Sequence, residues 1–182
     1  PWESVAAFLT LPTCASSVEA EKCLETAHSL SLHFVTADID DDVRFFHLGM
    51  LPKRDHSGLY PVSAFGDAPP WSGRRFGREL PRWVPEDGLV ATANEELQFE
   101  NGNVLSTMSQ ADYRLRRILG QLRARSDHGF DSMRALQLDV YSLQAQQLAP
   151  LLLKWLPNGP VRSALSEWDY CYAADSRGAH AF

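Results

Sequence analysis

Residues 50–88 hold six of the chain's eleven prolines and five of its eleven glycines. Proline fixes φ and has no N–H to give, and glycine is costly to order, so this density predicts a stretch that propagates neither a helix nor a sheet ladder. A loop that long inside a compact domain is functional or wraps another part of the protein. Trp71 and Trp83 predict that it is pinned down rather than floppy.

The flanks read differently from each other. Before the loop, Val5, Phe8 and Leu9 give one apolar helical stripe. Ser16 and Ser17 are placed to cap a second helix over 18–29, with Val18, Cys23, Leu24 and Ala27 on its inner side. Leu32, Phe34 and Thr36 then alternate with His33, Val35 and Ala37, and a second run covers 43–48 beyond the acidic turn 38–42, which predicts a β-hairpin belonging to a larger sheet. A short strand over 89–93 ends the loop. After it the chain turns helical. Ser109 with Asp112 resembles a capping box, and Leu115, Ile118, Leu119 and Leu122 repeat at helical spacing. A longer helix is expected from Asp131 to Trp155, with Met133, Leu136, Val140, Leu143, Leu148, Leu151 and Leu152 on its stripe and a kink at Pro150. A last helix is expected over 161–168. The fold class is therefore α+β, with a sheet-bearing part over 1–108 and a helical lobe over 109–182.

At 182 residues, 45% apolar and 22% charged, the chain has ordinary globular composition. Its net charge of −6 argues against a dedicated nucleic-acid binder, which carries a basic excess. No run of 18 apolar residues occurs, so no membrane span is expected. The first residues lack the charged region and cleavage site of a signal peptide. Cys14, Cys23 and Cys171 form no C-x-x-C pair, and buried free thiols are the plain expectation.

Four features carry possible chemistry. Asp38, Asp40 and Asp42 alternate as in a calcium loop, but Val43 and Gly49 stand where such a loop needs Gly and Glu, so a solvated turn is the better reading. Six scattered histidines show no ligand spacing. Arg114, Arg116, Arg117, Arg123 and Arg125 crowd one helix and read as its charged outer face. Asn94 closes the strand 89–93, where it either starts a turn or offers an amide donor to a developing oxyanion.

Taken in order, HFVTADIDDDVRFFHLGMLPKR, GLYPV, PPWSGRRFGRELPRWVPEDGLVATANEEL, ADYRLRRILGQL, ALQLDVYSLQAQQLAPLLLKWL and SEWDYCYAADSRGAHAF resemble the penicillin acylase family of N-terminal nucleophile hydrolases. The resemblance covers nearly the whole chain. It implies part of the four-layer αββα fold and hydrolysis of an amide that joins an acyl group to an amine, such as a β-lactam nucleus or a homoserine lactone. It implies a serine nucleophile at the start of a mature large chain, activated by its own α-amino group and lying outside this chain. Pro1 matches the interior of that large chain and cannot serve. Asn94 matches the family's oxyanion donor, and Arg114 matches an arginine that supports the active site. Leu9 and Leu32 fall where acyl-pocket walls lie; the other reading of both is ordinary core.

The sequence departs from the family at Glu95, where a second Asn is usual, and at Asp40–Asp42, where the turn usually contains glycine. Glu95 is expected to point away from the Asn94 amide, because a carboxylate there would oppose an oxyanion. No cofactor is expected. The calcium that family members often bind takes its ligands mostly upstream, with Asn103 only a loose match. The implied partners are the remaining segments of the same enzyme, including its small chain, and a small-molecule acyl-amide substrate, with no nucleic acid and no membrane. The implied location is the periplasm or outside the cell. Activity is not expected from this chain by itself. The alternative is a non-catalytic helical interaction module whose long loop wraps a partner.

Overall fold

The computed structural model describes residues 2–63, 65, 71–98, 105 and 108–182. The chain divides into two compact units, Pro1–Gln110 and Ala111–Phe182, and the fold class is α+β.

The first unit opens with helix α1 (Trp2–Thr10) and helix α2 (Ser17–Leu24), joined by a 3-10 turn at Leu11–Thr13. Ser16 caps α2, its hydroxyl accepting the Glu19 N–H, while the Glu19 carboxylate accepts the Ala15 N–H at 2.8 Å. The helix stops at Leu24 rather than 29. The Thr26 hydroxyl donates to the Cys23 carbonyl at 3.2 Å, and the Ala27 N–H tightens onto the Leu24 carbonyl at 2.9 Å. The inward face of α1 also differs from the expected stripe. Ser4 and Ala7 are buried, with Phe8 and Leu11 beside them, whereas Val5 and Leu9 face outward. Small residues let α1 approach its neighbours closely, and the Ser4 hydroxyl accepts the Ser29 N–H at 3.0 Å. Val18 likewise turns outward.

Strands β1 (Leu32–Ala37) and β2 (Val43–Leu48) form the expected antiparallel hairpin, in register from Leu32 opposite Leu48 to Ala37 opposite Val43. The acidic turn is more than a solvated loop. Asp38 Oδ2 accepts the Ser17 N–H at 2.8 Å, and Oδ1 accepts the Asp40 and Asp42 N–H groups at 3.1 and 3.2 Å, so the turn is tied to the start of α2.

The proline-rich stretch does support ladders, contrary to expectation. Strand β3 (Met50–Lys53) pairs with β4 (Gly73–Phe76) in a two-stranded sheet, and the short β5 (Arg82–Trp83) adds to β2, giving the order β1-β2-β5. Both strands of a two-stranded sheet are edges, and an edge tolerates a residue such as Pro52 that has no N–H. Both tryptophans are exposed, but Trp83 is pinned as expected, stacked on Phe45 with ring centroids 3.8 Å apart. Because β2 is central, Phe45, Phe46, His47 and Leu48 are all buried. One face joins the core of Ala7, Leu24, Ala27, Phe46 and Leu48. Arg82 and Arg44 bind Glu21 of α2, and Arg82 also reaches Glu25 at 3.4 Å, which ties that helix to the sheet. Segment 89–93, expected as a strand, forms no ladder, and at its end the Ala93 N–H is given to the Glu95 carboxylate.

The second unit contains α3 (Tyr113–Arg123), α4 (Phe130–Gln137), α5 (Leu143–Leu152), α6 (Pro160–Ser166) and α7 (Arg177–Ala181). Helix α3 starts after Asp112, which makes no side-chain cap; its carboxylate pairs instead with Arg116 at 3.2 Å. The expected long helix is two helices. They are separated at 138–142, where Tyr172 and Ser142 exchange backbone bonds with Val140 and Tyr170 across an isolated bridge between Tyr141 and Cys171. The buried residues of α5 are Ala145 and Ala149 rather than its leucines; Leu151, Leu152 and Trp155 are exposed. Ala145, Leu165 and Trp168 centre the core, with Leu153, Leu156, Tyr170 and Phe182 packed around them. All three cysteines are free and only partly buried.

Candidate functional site

Asn94 lies in a bend, not at a strand end. Its φ of +62° is one of three positive values among the described non-glycine residues. That left-handed conformation costs most L-residues about 1–2 kcal/mol, and Asn is among the few that adopt it readily. Side chains on both sides hold the bend. Glu95 turns back so that Oε2 accepts the Ala93 N–H at 2.6 Å and the Thr92 hydroxyl at 3.3 Å. The Thr92 hydroxyl thus gives its proton to Glu95 and accepts from His33 Nδ1 at 2.7 Å, which assigns the proton of His33 to Nδ1. The Asn94 carbonyl accepts the Gln110 N–H at 2.6 Å, beside a parallel bridge between Glu95 and Gln110. Asn94 itself is exposed, and Ala93 beneath it is buried.

The relay is anchored on the sheet. His33 of β1 lies opposite His47 of β2, with ring centroids 5.2 Å apart, and its other neighbour is the Phe45 ring at 5.3 Å. His47 is buried and bonds the Ser31 hydroxyl through Nε2 at 3.2 Å. Burial lowers the His33 pKa, with the Glu95 charge opposing. Burial, then the neighbouring His33, pushes His47 down to about 4. Both rings are therefore held neutral near pH 7.

The other sequence-identified residues fall as follows. Leu9 is exposed on α1, and Leu32 is partly exposed at the start of β1, so neither is core in this chain. Arg114 is exposed in the first turn of α3, in the second unit. The arginines of α3 do not form a uniform outer face. Arg117 turns inward, holds Asp139 through Nε at 2.6 Å and Nη2 at 3.3 Å, and lies 4.5 Å over the Tyr141 ring. The hydrogen bond to Arg117 leads the causes that lower the Asp139 pKa. This bracket borders a cavity of about 280 Å³ lined by Gln121, Arg125, His128 and Ser132, among others. The sequence reading missed the His33–Thr92–Glu95 relay. Its one local signal is Thr92-x-x-Glu95, which resembles the spacing of a capping box, although here the carboxylate takes the Thr92 hydroxyl and the Ala93 N–H rather than the Thr92 N–H.

The model of the family described as penicillin amidase matches residues 2–182. The chain belongs to the penicillin amidase family. No curated protein matches it. Among solved structures, it is similar to a thermostable penicillin G acylase from Alcaligenes faecalis in an orthorhombic form, with a TM-score of 0.70 and 16% identity over 93% of this chain and 33% of that one. At that identity the likeness speaks for the fold. The chain spans about a third of that relative's length. Among its described residues, no group of three or more His, Cys, Asp and Glu side chains is arranged to hold a metal. Asp38 spends its oxygens on backbone N–H groups, and Asn103 lies outside the described residues. No described helix is long and apolar enough to cross a membrane.

Proposed function

We propose that this chain is part of an amidohydrolase that cleaves acyl-amide bonds, with the nucleophile, an N-terminal serine, contributed by a segment outside the chain. In this reading the serine hydroxyl loses its proton to its own α-amino group and attacks the amide carbonyl. The Asn94 side-chain amide donates to the oxygen on which charge develops. Arg114 supports the surroundings of the nucleophile, and Leu9 and Leu32 contribute to the wall that meets the acyl group. The observation that carries the reading is the left-handed, side-chain-braced bend at Asn94. A donor fixed before reaction begins costs no reorganisation as charge appears, and removal of one such donor slows kcat by about 10²–10³-fold. Calcium, where it binds, is held by segments outside this chain, and the enzyme works in the periplasm or outside the cell.

The test uses the full-length polypeptide that contains this chain and a panel of N-acyl p-nitroanilides with acetyl, octanoyl and phenylacetyl groups. The native protein is expected to release p-nitroaniline from at least one of them, and Asn94→Ala to lower kcat by about 100-fold or more with a smaller change in KM. Absence of release from the whole panel would overturn the amidohydrolase reading. An unchanged kcat in Asn94→Ala would overturn the role of Asn94.

A further inference from the structure

We infer that His33, Thr92 and Glu95 are positioning residues that aim the Asn94 amide, an inference that rests on the proposed role of Asn94. Four observations converge. Asn94 holds a left-handed backbone conformation, one of three such values among the described non-glycine residues, and Asn reaches it at little cost. The two residues before it are held by a single carboxylate oxygen, Glu95 Oε2, which takes the Ala93 N–H at 2.6 Å and the Thr92 hydroxyl at 3.3 Å. That hydroxyl is held in turn by His33 Nδ1 at 2.7 Å. His33 stands on β1, paired with the buried strand β2, so the chain of bonds ends on a rigid element.

The direction of the bonds leaves little freedom. His33 donates, Thr92 accepts and donates, and Glu95 accepts twice. The order assigned to the protons is the only one that satisfies all three side chains, because a carboxylate has no proton to return. The consequence for charge is equally specific. The Glu95 oxygen that carries this load is occupied by two donors beside the Asn94 bend, which partly compensate its charge. An acidic residue is therefore tolerated where the family has an amide. Gln at this position has one carbonyl oxygen able to accept the same two donors, whereas Ala has none.

The experiment measures kcat and KM of the full-length polypeptide on the p-nitroanilide hydrolysed best, with Thr92→Val, Glu95→Ala and Glu95→Gln made in the native and in the Asn94→Ala backgrounds. Thr92→Val and Glu95→Ala are expected to lower kcat about tenfold, with KM within about twofold, and Glu95→Gln to restore kcat to within about threefold of native. In the Asn94→Ala background the same changes are expected to alter kcat less than about twofold, because the group they aim is gone. A loss that persists undiminished in the Asn94→Ala background overturns the inference, since damage to folding acts in both backgrounds alike. Native kcat in Thr92→Val and Glu95→Ala, beside a slow Asn94→Ala, also overturns it and leaves the role of Asn94 standing. Native kcat in Asn94→Ala itself removes the reading on which it rests.

Discussion

His47 is 3% exposed, and one of its ring nitrogens, Nδ1, has no partner among the described residues. Its pKa of about 4 in the folded chain stands against roughly 6.5 when unfolded. Between these values the unfolded chain binds the proton and the folded chain does not. Stability therefore falls as pH drops from about 6.5 to about 4, and this contribution ends once the native ring charges too. Asp38 and Asp139 act lower down. The Ser17 N–H and the Arg117 guanidinium, respectively, lead the causes that hold these carboxylates below their ordinary value, so their stabilisation is present above about pH 4 and is lost on further acidification. Thermal melts at pH 7 and 5 should show the native chain losing up to about 2 kcal/mol. His47→Gln, which keeps a partner for Ser31 and does not titrate, should lose clearly less over the same interval.

At the scale of elements, Gly178 in α7 lies directly under Trp168, and a Cβ there would fall inside the van der Waals shell of the Trp168 Cβ and Cγ. Gly178→Ala should destabilise the second unit by about 1–3 kcal/mol through overpacking, read as a lower midpoint in urea with unchanged m. The hairpin, the cap at Ser16 and the inner stripe of α3 were legible because each is encoded within a few residues: alternation in β1 and β2, a hydroxyl three residues before Glu19, leucines three and four apart. The face of α1 was not, since the choice between Ser4–Ala7 and Val5–Leu9 depends on how closely another element approaches. The division of α4 from α5 was not either. Its stop is made by Tyr170 and Tyr172, about thirty residues further on, and by the Arg117 bracket on Asp139. At the site, the left-handed bend at Asn94 was not legible, since the segment before it was expected to be a strand, and His33 lies 59 residues from Thr92 with no local pattern to join them.

At the scale of the whole molecule, the second unit owns a core of Ala145, Leu165 and Trp168 with its surrounding apolar residues. Residues 111–182 expressed alone should show helical circular dichroism and a cooperative melt; a non-cooperative, gradual transition would show that this core does not suffice. On the proposed function, the 182-residue chain by itself should hydrolyse none of the p-nitroanilides, because the nucleophile is there assigned to a segment outside it. Trp2 is 82% exposed and Trp155 88% exposed, and Leu9 and Ile39 are also outward. Trp2, Val5 and Leu9 share one exposed face of α1 at helical spacing, and an exposed apolar stripe of this kind favours association. Sedimentation of the chain should reveal concentration-dependent oligomers, reduced by Trp2→Ser with Leu9→Ser.

If Asn94 donates to the oxyanion as proposed, its bend makes one codon answer to two independent filters. Gly, Asn and Asp are the residues that reach φ near +60° at little cost, and Asn alone among them has a side-chain N–H. In a library randomised at this position, selection for folded protein should retain all three, while selection for turnover should retain one. The gap between the two sets of survivors measures the chemistry separately from the backbone, which a single alanine substitution cannot do.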